Sequence, residues 1–322
     1  MSRRVLISGS VAFDTIMVFD GHFKDHILPE RVHMLNVSFL TPRLKREAGG
    51  CAANIAYNLS LLGGEAAILA AVGEDGGDYV RQLAGRGIDV SEVRIIKDLY
   101  TPQAFITTDL SDNQITAFHP GAMSEAHQAD ARQLAPAAWA IVSPNGKQAM
   151  LDHARQYVAL GIPSIFDPGQ GLPMFDGEEL KALVIAATAL TVNDYEFSMI
   201  CEKTGWTEGE LARAAGVMIV TRGGDGSYLY QDGKDREVIA AAPIGKAVDP
   251  TGCGDAYRGG LLYGLSQGWE WSQAAKLGSI MGAIKIESQG PQNHEPGRDA
   301  IATRFQQAYG SPPPGKSLFD NP

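Results

Sequence analysis

The sequence predicts an α/β fold: a mostly parallel sheet covered by helices on both faces, with a small β-rich excursion. Three observations carry that prediction. Short β-branched or apolar runs alternate with helical periodicity from about Leu62 onward, the pattern of a parallel sheet with helical crossovers. Each apolar run ends near a glycine or a polar turn. The helical segments carry one apolar stripe, at i, i+4 and i+7 or at i, i+3, i+4 and i+7, which suits packing on a sheet.

In chain order, the predicted strands are Arg4–Ser8 (RVLIS), Ala66–Val72 (AAILAAV), Trp139–Ser143 (WAIVS), Pro163–Asp167 (PSIFD), Ala189–Asn193 (ALTVN) and Val217–Thr221 (VMIVT). One helix aligns Ile55, Leu59 and Leu62 and closes at Gly63 and Gly64, glycines being the usual stop. Another aligns Leu180, Leu183, Val184 and Ala187. Residues 16–47 and 100–123 break the alternation, and AFITTDLSDNQITAF reads as two strands around an SDN turn. Together they form a predicted lid on a single domain spanning residues 1–310. The prolines that follow Ser311 cannot continue a helix, so residues 311–322 read as a surface tail.

Composition excludes several classes of function. The 322 residues are 44% hydrophobic, enough for an ordinary core. A net charge of −10 without a Lys/Arg block argues against nucleic acid as partner, because phosphate contacts come from clustered cations. No apolar run approaches the roughly 20 residues that span a bilayer. MSRRVLISGSVAFD is a basic start followed by a strand-like run, without a small-residue cleavage site, so the expectation is a cytoplasmic protein. Cys51, Cys201 and Cys253 are odd in number and lack metal-type spacing, which disfavours a disulfide framework or a zinc site.

Four stretches carry chemistry. In VDPTGCGDAYRGG, the glycines around Cys253 would let the backbone N–H groups of Gly252, Cys253 and Gly254 converge on an anion at a helix N-terminus. Asp255 would then lie beside the anion, where a carboxylate can take the proton of an attacking hydroxyl. The plainer reading is a tight turn with an acid that suits the helix dipole. No Gly-Lys-Ser/Thr follows, so this is not a P-loop. In EAGGCAANIAYNL, Gly49 and Gly50 would admit a ligand hydroxyl to the backbone, and Asn54 offers a donor and an acceptor. This stretch also reads as a closely packed helix start. In NDYEF, Asn193 and Glu196 would organise a hydrated Mg²⁺ and its phosphate, or simply form a capping box. In TRGGDGSYLY, Thr221, Gly223 and Gly226 would face nucleotide phosphates, or make a hairpin turn.

Along the chain these stretches run EAGGCAANIAYNL, NDYEF, TRGGDGSYLY and finally VDPTGCGDAYRGG, and in that order they resemble the ribokinase (PfkB) family of sugar and nucleoside kinases, with DPTGCGDAYRGG the most specific element. GSVAFD, LPERVHMLNVSFL, FHPGAMSEA and NDYEF followed by KTGW look, within that family, like bacterial adenosine kinases. The resemblance implies a ribokinase-like fold in which Ser10, Asp14, Gly50 and Asn54 bind ribose hydroxyls. It makes Asp255 the base, and it has Phe105 and Phe118 enclose the purine between the two lid strands. It implies ATP and Mg²⁺ as cofactors, with Glu196 reaching the metal through water. It also implies a K⁺ ion held by Asp249, Thr251 and the ESQG segment at 287–290. DPGQG, from Asp167 to Gly171, matches the family's purine-side loop only in part.

The expected function is therefore ATP-dependent phosphorylation of a ribonucleoside 5′-hydroxyl, adenosine first among the candidates. One alternative is a kinase for ribose or a fructose phosphate, for which Arg31, Arg43, Lys45 and Arg46 are candidate phosphate partners. The other is a catalytically idle nucleoside sensor. Two further expectations concern association and reactivity. The lid edge would support a homodimer, and the helix dipole would favour a reactive thiolate at Cys253.

Overall fold

The computed structural model describes residues 2–27, 36–111, 113–231 and 236–314. In chain order the strands are β1 (Val5–Ser8), β2 (Ala12–Val18), β3 (Arg43–Gly49), β4 (Ala66–Gly73), β5 (Asp89–Ile96), β6 (Gln103–Thr108), β7 (Gln114–His119), β8 (Trp139–Val142), β9 (Ser164–Phe166), β10 (Ala189–Asn193), β11 (Val217–Thr221), β12 (Ser227–Gln231) and β13 (Glu237–Ile239). The helices are α1 (Cys51–Leu61), α2 (Gly77–Gly85), α3 (Lys147–Ala159), α4 (Gly177–Ala186), α5 (Asp194–Thr204), α6 (Glu208–Ala215), α7 (Cys253–Ser266), α8 (Trp271–Ile286) and α9 (Arg298–Tyr309).

The larger sheet runs β13-β12-β11-β10-β9-β8-β1-β4-β5. Its strands are parallel from β5 to β11, and only the pairings of β12 with β11 and with β13 are antiparallel. Alternate residues of the central strands serve two cores, as continuous apolar strands in a two-sided sheet must. Val5 and Ile7 face a layer that includes Ile55, Leu261 and Leu277. Leu6 and Val142 face one that includes Tyr157, Leu180 and Leu211. The chain order reverses at β1, and open α/β sheets place ligands at the carboxyl edge near such a reversal. Ser10, Asp167, Asn193 and Thr221 all lie at or just beyond strand carboxyl ends there.

The smaller sheet, β3-β2-β6-β7, is the predicted lid with a different start. It begins at Ala12 rather than Ile16, because β1 runs into β2 almost without a turn. Asp14 therefore belongs to the lid itself. Edge strand β5 escaped the sequence reading, since DVSEVRII is neither continuously apolar nor cleanly alternating. The SDN turn is tied down by Asp109, whose carboxylate accepts from the amides of Ser111 and Asn113. Asp112 and residues 28–35, including Arg31, lie outside the described residues. So does the tail from 315 onward, where the last helix has already ended at Gly310 in the left-handed conformation.

The second half of DAYRGG is explained by packing. A Cβ at Gly259 would lie 2.6 Å from the Asn58 Cβ on α1, and one at Gly260 would lie 2.8 Å from the Leu277 carbonyl on α8. These glycines let α7 wedge between its neighbours, which fixes where its N-terminus points. No helix among the described residues is long and apolar enough to cross a membrane.

Candidate active site

Asp255 occupies the first turn of α7. Its Oδ2 accepts from Asn54 Nδ2 at 2.8 Å. Gln292 Nε2 donates to Asn54 Oδ1 at 2.8 Å and to the Tyr79 hydroxyl at 2.6 Å, and Tyr79 in turn donates to the Gly49 carbonyl at 2.9 Å. Because Gln292 takes the oxygen of Asn54, the amide nitrogen must face Asp255. Burial pushes the Asp255 carboxyl up to about 7, although the Asn54 hydrogen bond and the Arg258 charge favour its ionised form. A carboxyl poised near neutrality suits a general base. Arg258 donates to Asp167 Oδ1 at 2.6 Å in a buried ion pair and to the Gly254 carbonyl at 3.2 Å. It thereby ties the loop after β9 to the turn that holds Asp255.

On one side of Asp255 lies a cavity of about 460 Å³, within the range of small-molecule sites. Thr221, Gly223, Gly226, Cys253 and Gly254 line it, so the TRGGDGSYLY and VDPTGCGDAYRGG stretches converge across the sheet edge. Thr221 pairs with Ser227 in the β11–β12 hairpin; the turn reading and the ligand reading of that stretch describe one object. Gly226 has φ of +82°, and a Cβ there would meet the Ile239 carbonyl at 2.1 Å. Gly252 caps α7 with φ of +77°. Among the described residues the N–H groups of Gly252 and Gly254 meet no acceptor, whereas that of Cys253 already reaches the Pro250 carbonyl at 3.2 Å. Two amides rather than three thus point free toward an anion. Ala242, Ile244, Tyr257 and Ile286 form apolar walls suited to a flat base, and sequence reasoning missed them because no polar motif marks them.

On the other side, the lid carries Asp14. Burial, with Glu47 and Asp249 nearby, raises its carboxyl above the ordinary range. A Cβ on Gly49 would lie 2.8 Å from Asp14 Oδ2, and one on Gly50, at φ +93°, 2.5 Å from the Ser10 carbonyl. Close backbone approach therefore requires the glycine at 50, whereas a side chain at 49 would crowd the Asp14 carboxylate. Ser10 is buried, and its hydroxyl accepts the Cys51 N–H at 3.0 Å, which caps α1 from outside and leaves its own proton to donate.

The register corrects one expectation. Asp14 lies opposite Glu47 and Ala104, and Ala104 opposite Phe118; Thr15 lies opposite Arg46 and Phe105. Residues directly opposite share a face, and neighbours along a strand point to opposite faces. Phe118 is therefore on the Asp14 face and Phe105 on the other, so the two cannot enclose one base. The lid cations weigh against a phosphorylated substrate. Arg43 pairs with Asp20 at 2.7 Å, Lys45 with Glu47, and Arg46 with Asp75 at 2.8 Å while its guanidinium covers Phe13.

Two further expectations change. Asn193 and Glu196 are spent on each other: each accepts from the other's backbone N–H, and Asn193 Nδ2 also donates to Glu196 Oε1 at 2.9 Å. Neither lines the cavity. Among the described residues no group of three or more His, Cys, Asp or Glu side chains is placed to hold a metal ion. Burial, with the Asp249 and Asp255 carboxylates nearby, pushes the Cys253 thiol up to about 11, the opposite direction from the expected reactive thiolate. Asp167, Arg258, Tyr79 and Gln292 were also missed. Arg258 stands one turn after Asp255 and carried a readable signal, whereas Gln292 carried none.

The architecture and the carboxylate above a glycine-capped helix define a ribokinase-like phosphotransferase. The pfkB family carbohydrate kinase profile matches residues 13–298, and the chain belongs to that family. The structure of Burkholderia thailandensis nucleoside kinase in complex with inosine is similar to it, with 47% identity and a TM-score of 0.87 over 97% of this chain and 100% of that one. The same kinase in complex with ADP-inosine matches at 48% identity and a TM-score of 0.84, over 97% and 98%. The nucleoside kinase of Methanothermobacter thermautotrophicus is 32% identical over 97% of this chain and 98% of its own.

Proposed function

We propose that the protein is an ATP-dependent nucleoside kinase that phosphorylates the 5′-hydroxyl of a purine ribonucleoside, with adenosine a principal substrate. The single observation that carries the reading is the position of Asp255. It is held by Asn54 at 2.8 Å and follows directly on Cys253 and Gly254, which line the 460 Å³ cavity, with its carboxyl raised by burial to about 7. The similarity to a kinase solved with inosine and with ADP-inosine supports a purine nucleoside as acceptor. The adenosine-kinase-like lid stretches favour adenosine, and the paired lid cations disfavour a sugar phosphate.

In this reading Asp14 and Asn54 orient the ribose so that its 5′-oxygen faces Asp255. The carboxylate accepts the hydroxyl proton as the oxygen attacks phosphorus, and ADP leaves. Such positioning lowers barriers by several kcal/mol, on the order of 7 or more. The free amides of Gly252 and Gly254 stabilise charge on the transferred group. Mg²⁺ carried in on the triphosphate would supply neutralisation of the phosphate charge. Phe118 covers the base on the Asp14 face. The outer lid face, with Leu44, Phe105 and Ile115 exposed, docks a second copy symmetrically.

The test is ADP release with MgATP across adenosine, inosine, guanosine, cytidine, ribose and fructose 6-phosphate. Purine nucleosides should show the highest kcat/KM. A sugar surpassing all nucleosides, or no ADP release with any acceptor, overturns the proposal.

A further inference from the structure

The monovalent cation expected around Asp249 and Thr251 does not fit the residues found there. Lys285, in the last turn of α8, is fully buried. Its ammonium donates to the backbone carbonyls of Asp249 at 2.7 Å and of Ser288 at 3.0 Å. These carbonyls belong to the two segments the sequence offered to the ion. The side-chain oxygens are committed as well. Asp249 Oδ1 accepts from the Thr251 amide at 2.9 Å, and Oδ2 accepts from the Gly290 amide at 2.7 Å and Gln289 Nε2 at 3.1 Å. Glu287 turns to Arg304 at 2.7 Å and to the Gly245 amide at 2.6 Å.

A buried ammonium costs several kcal/mol unless its charge and donors are satisfied. Here the Asp249 backbone and carboxylate supply that compensation, and the ammonium is a compact point charge with several donors, the same demand a free alkali ion makes. The location gives it a consequence. Asp249 opens the turn that continues through Pro250 to Gly252, and the same carboxylate clamps Gly290 to that turn. Where Asp249 sits decides where the Gly252 and Gly254 amides point.

We propose that Lys285 is the protein's own monovalent cation: it positions the anion-binding turn from the Asp249 and Ser288 carbonyls, so nucleotide binding and turnover need no added potassium. The part concerning turnover rests on the kinase reading; the part concerning nucleotide binding does not. The experiment measures ADP affinity by calorimetry and ADP release, in tetramethylammonium buffer and then with K⁺ or NH₄⁺ added. Wild type should be indifferent to the added ion. Lys285→Met should lose about tenfold or more in ADP affinity, as breaking a buried charged contact does, with nucleoside KM nearly unchanged and with recovery on adding K⁺ or NH₄⁺. Wild-type acceleration by K⁺, a Lys285→Met variant that binds ADP normally without the ion, or a loss that no ion restores would each overturn the proposal. Lys285→Gln carries the same titration if Lys285→Met does not fold. Failure of every acceptor to release ADP would sink the kinase reading alone and leave the ADP-affinity arm to decide on Lys285.

Discussion

The two sides of Asp255 are built differently. The proposed nucleotide side is a walled cavity made from short local stretches, lined by the backbone of Gly223, Gly226 and Gly254 next to the Gly252 cap of α7. The nucleoside side is a lid strand plus a chain of long-range side-chain hydrogen bonds from Gly49 through Tyr79, Gln292 and Asn54 to Asp255. A backbone cradle recognises what every nucleotide shares, while a side-chain network can be retuned one residue at a time. In the proposed reading, common recognition thus sits in the backbone half and substrate choice in the side-chain half.

The largest expected effect falls on the residue the two sides share. Asp255→Asn keeps the shape but accepts no proton, so kcat should fall by about 10²–10⁴-fold, with adenosine binding measured by calorimetry little changed. In the wild type, kcat/KM should rise with pH through an inflection near 7, where Asp255 ionises. Stability has the opposite sign. The folded carboxyl holds its proton up to about 7, whereas the unfolded one releases it near 4, so this group's contribution is full below about pH 4 and is lost as pH rises to 7. Asp255→Asn should therefore melt higher than wild type at pH 8 and converge with it near pH 4. A variant that keeps most of its turnover would defeat the mechanism.

Next comes a change confined to the nucleotide side. Gly226→Ala puts a methyl 2.1 Å from the Ile239 carbonyl, at a φ of +82°, and such strain costs about 1–3 kcal/mol. The melting temperature should fall and the KM for ATP should rise more than that for adenosine. An equal rise in both would mean that the two halves are not separable.

On the nucleoside side, Phe118 and Phe105 test the lid register. Stacking on a base is worth roughly 1–3 kcal/mol, so Phe118→Ala should raise the adenosine KM about 5- to 150-fold. Phe105→Ala should leave that KM alone and instead lower the mass seen by light scattering, because its face points away from Asp14. The reverse pattern would mean that β6 and β7 are one residue out of register.

The difference between the halves also explains what was legible in the sequence. Asp255, Gly252, Thr221 and Gly226 were readable because each lies in a stretch whose glycines and polar residues make sense locally. The sheet was readable from continuous apolar strands such as Ala66–Gly73. The facing of Phe105 was not, because it depends on a register set by β2 and β6, and the segment between β2 and β3 shows no period. Gln292 was not readable either: its partner Asn54 is 238 positions away in the chain, and nothing around Gln292 distinguishes it from a surface loop. Lys285 was not readable either, since a lysine near a helix end is ordinarily a dipole partner in water.

The smallest effect is expected at Cys253, the residue of the anion turn whose type matters least. Its side chain lines the nucleotide cavity, but what the turn requires at that position is a small residue that lets the helix start there. The cysteine N–H is already engaged by Pro250, and burial holds the thiol near 11, so at pH 7.5 almost none of it is thiolate. Cys253→Ala should keep kcat and the KM for ATP within about twofold, since losing a partly buried, uncharged sulfur removes a packing contact and one long, weak S–H hydrogen bond to the Asp249 carbonyl at 3.9 Å. Alkylation by iodoacetamide should be slow at pH 7.5 and quicken only toward pH 11, and bound ADP should slow it further by covering the sulfur. Mass spectrometry of the Cys253 peptide over a pH series distinguishes this from a dipole-activated thiol, which would label rapidly at neutral pH. Rapid neutral labelling would show that the helix N-terminus outweighs desolvation, and it would place a charge beside the phosphates where the turn is here held to be neutral.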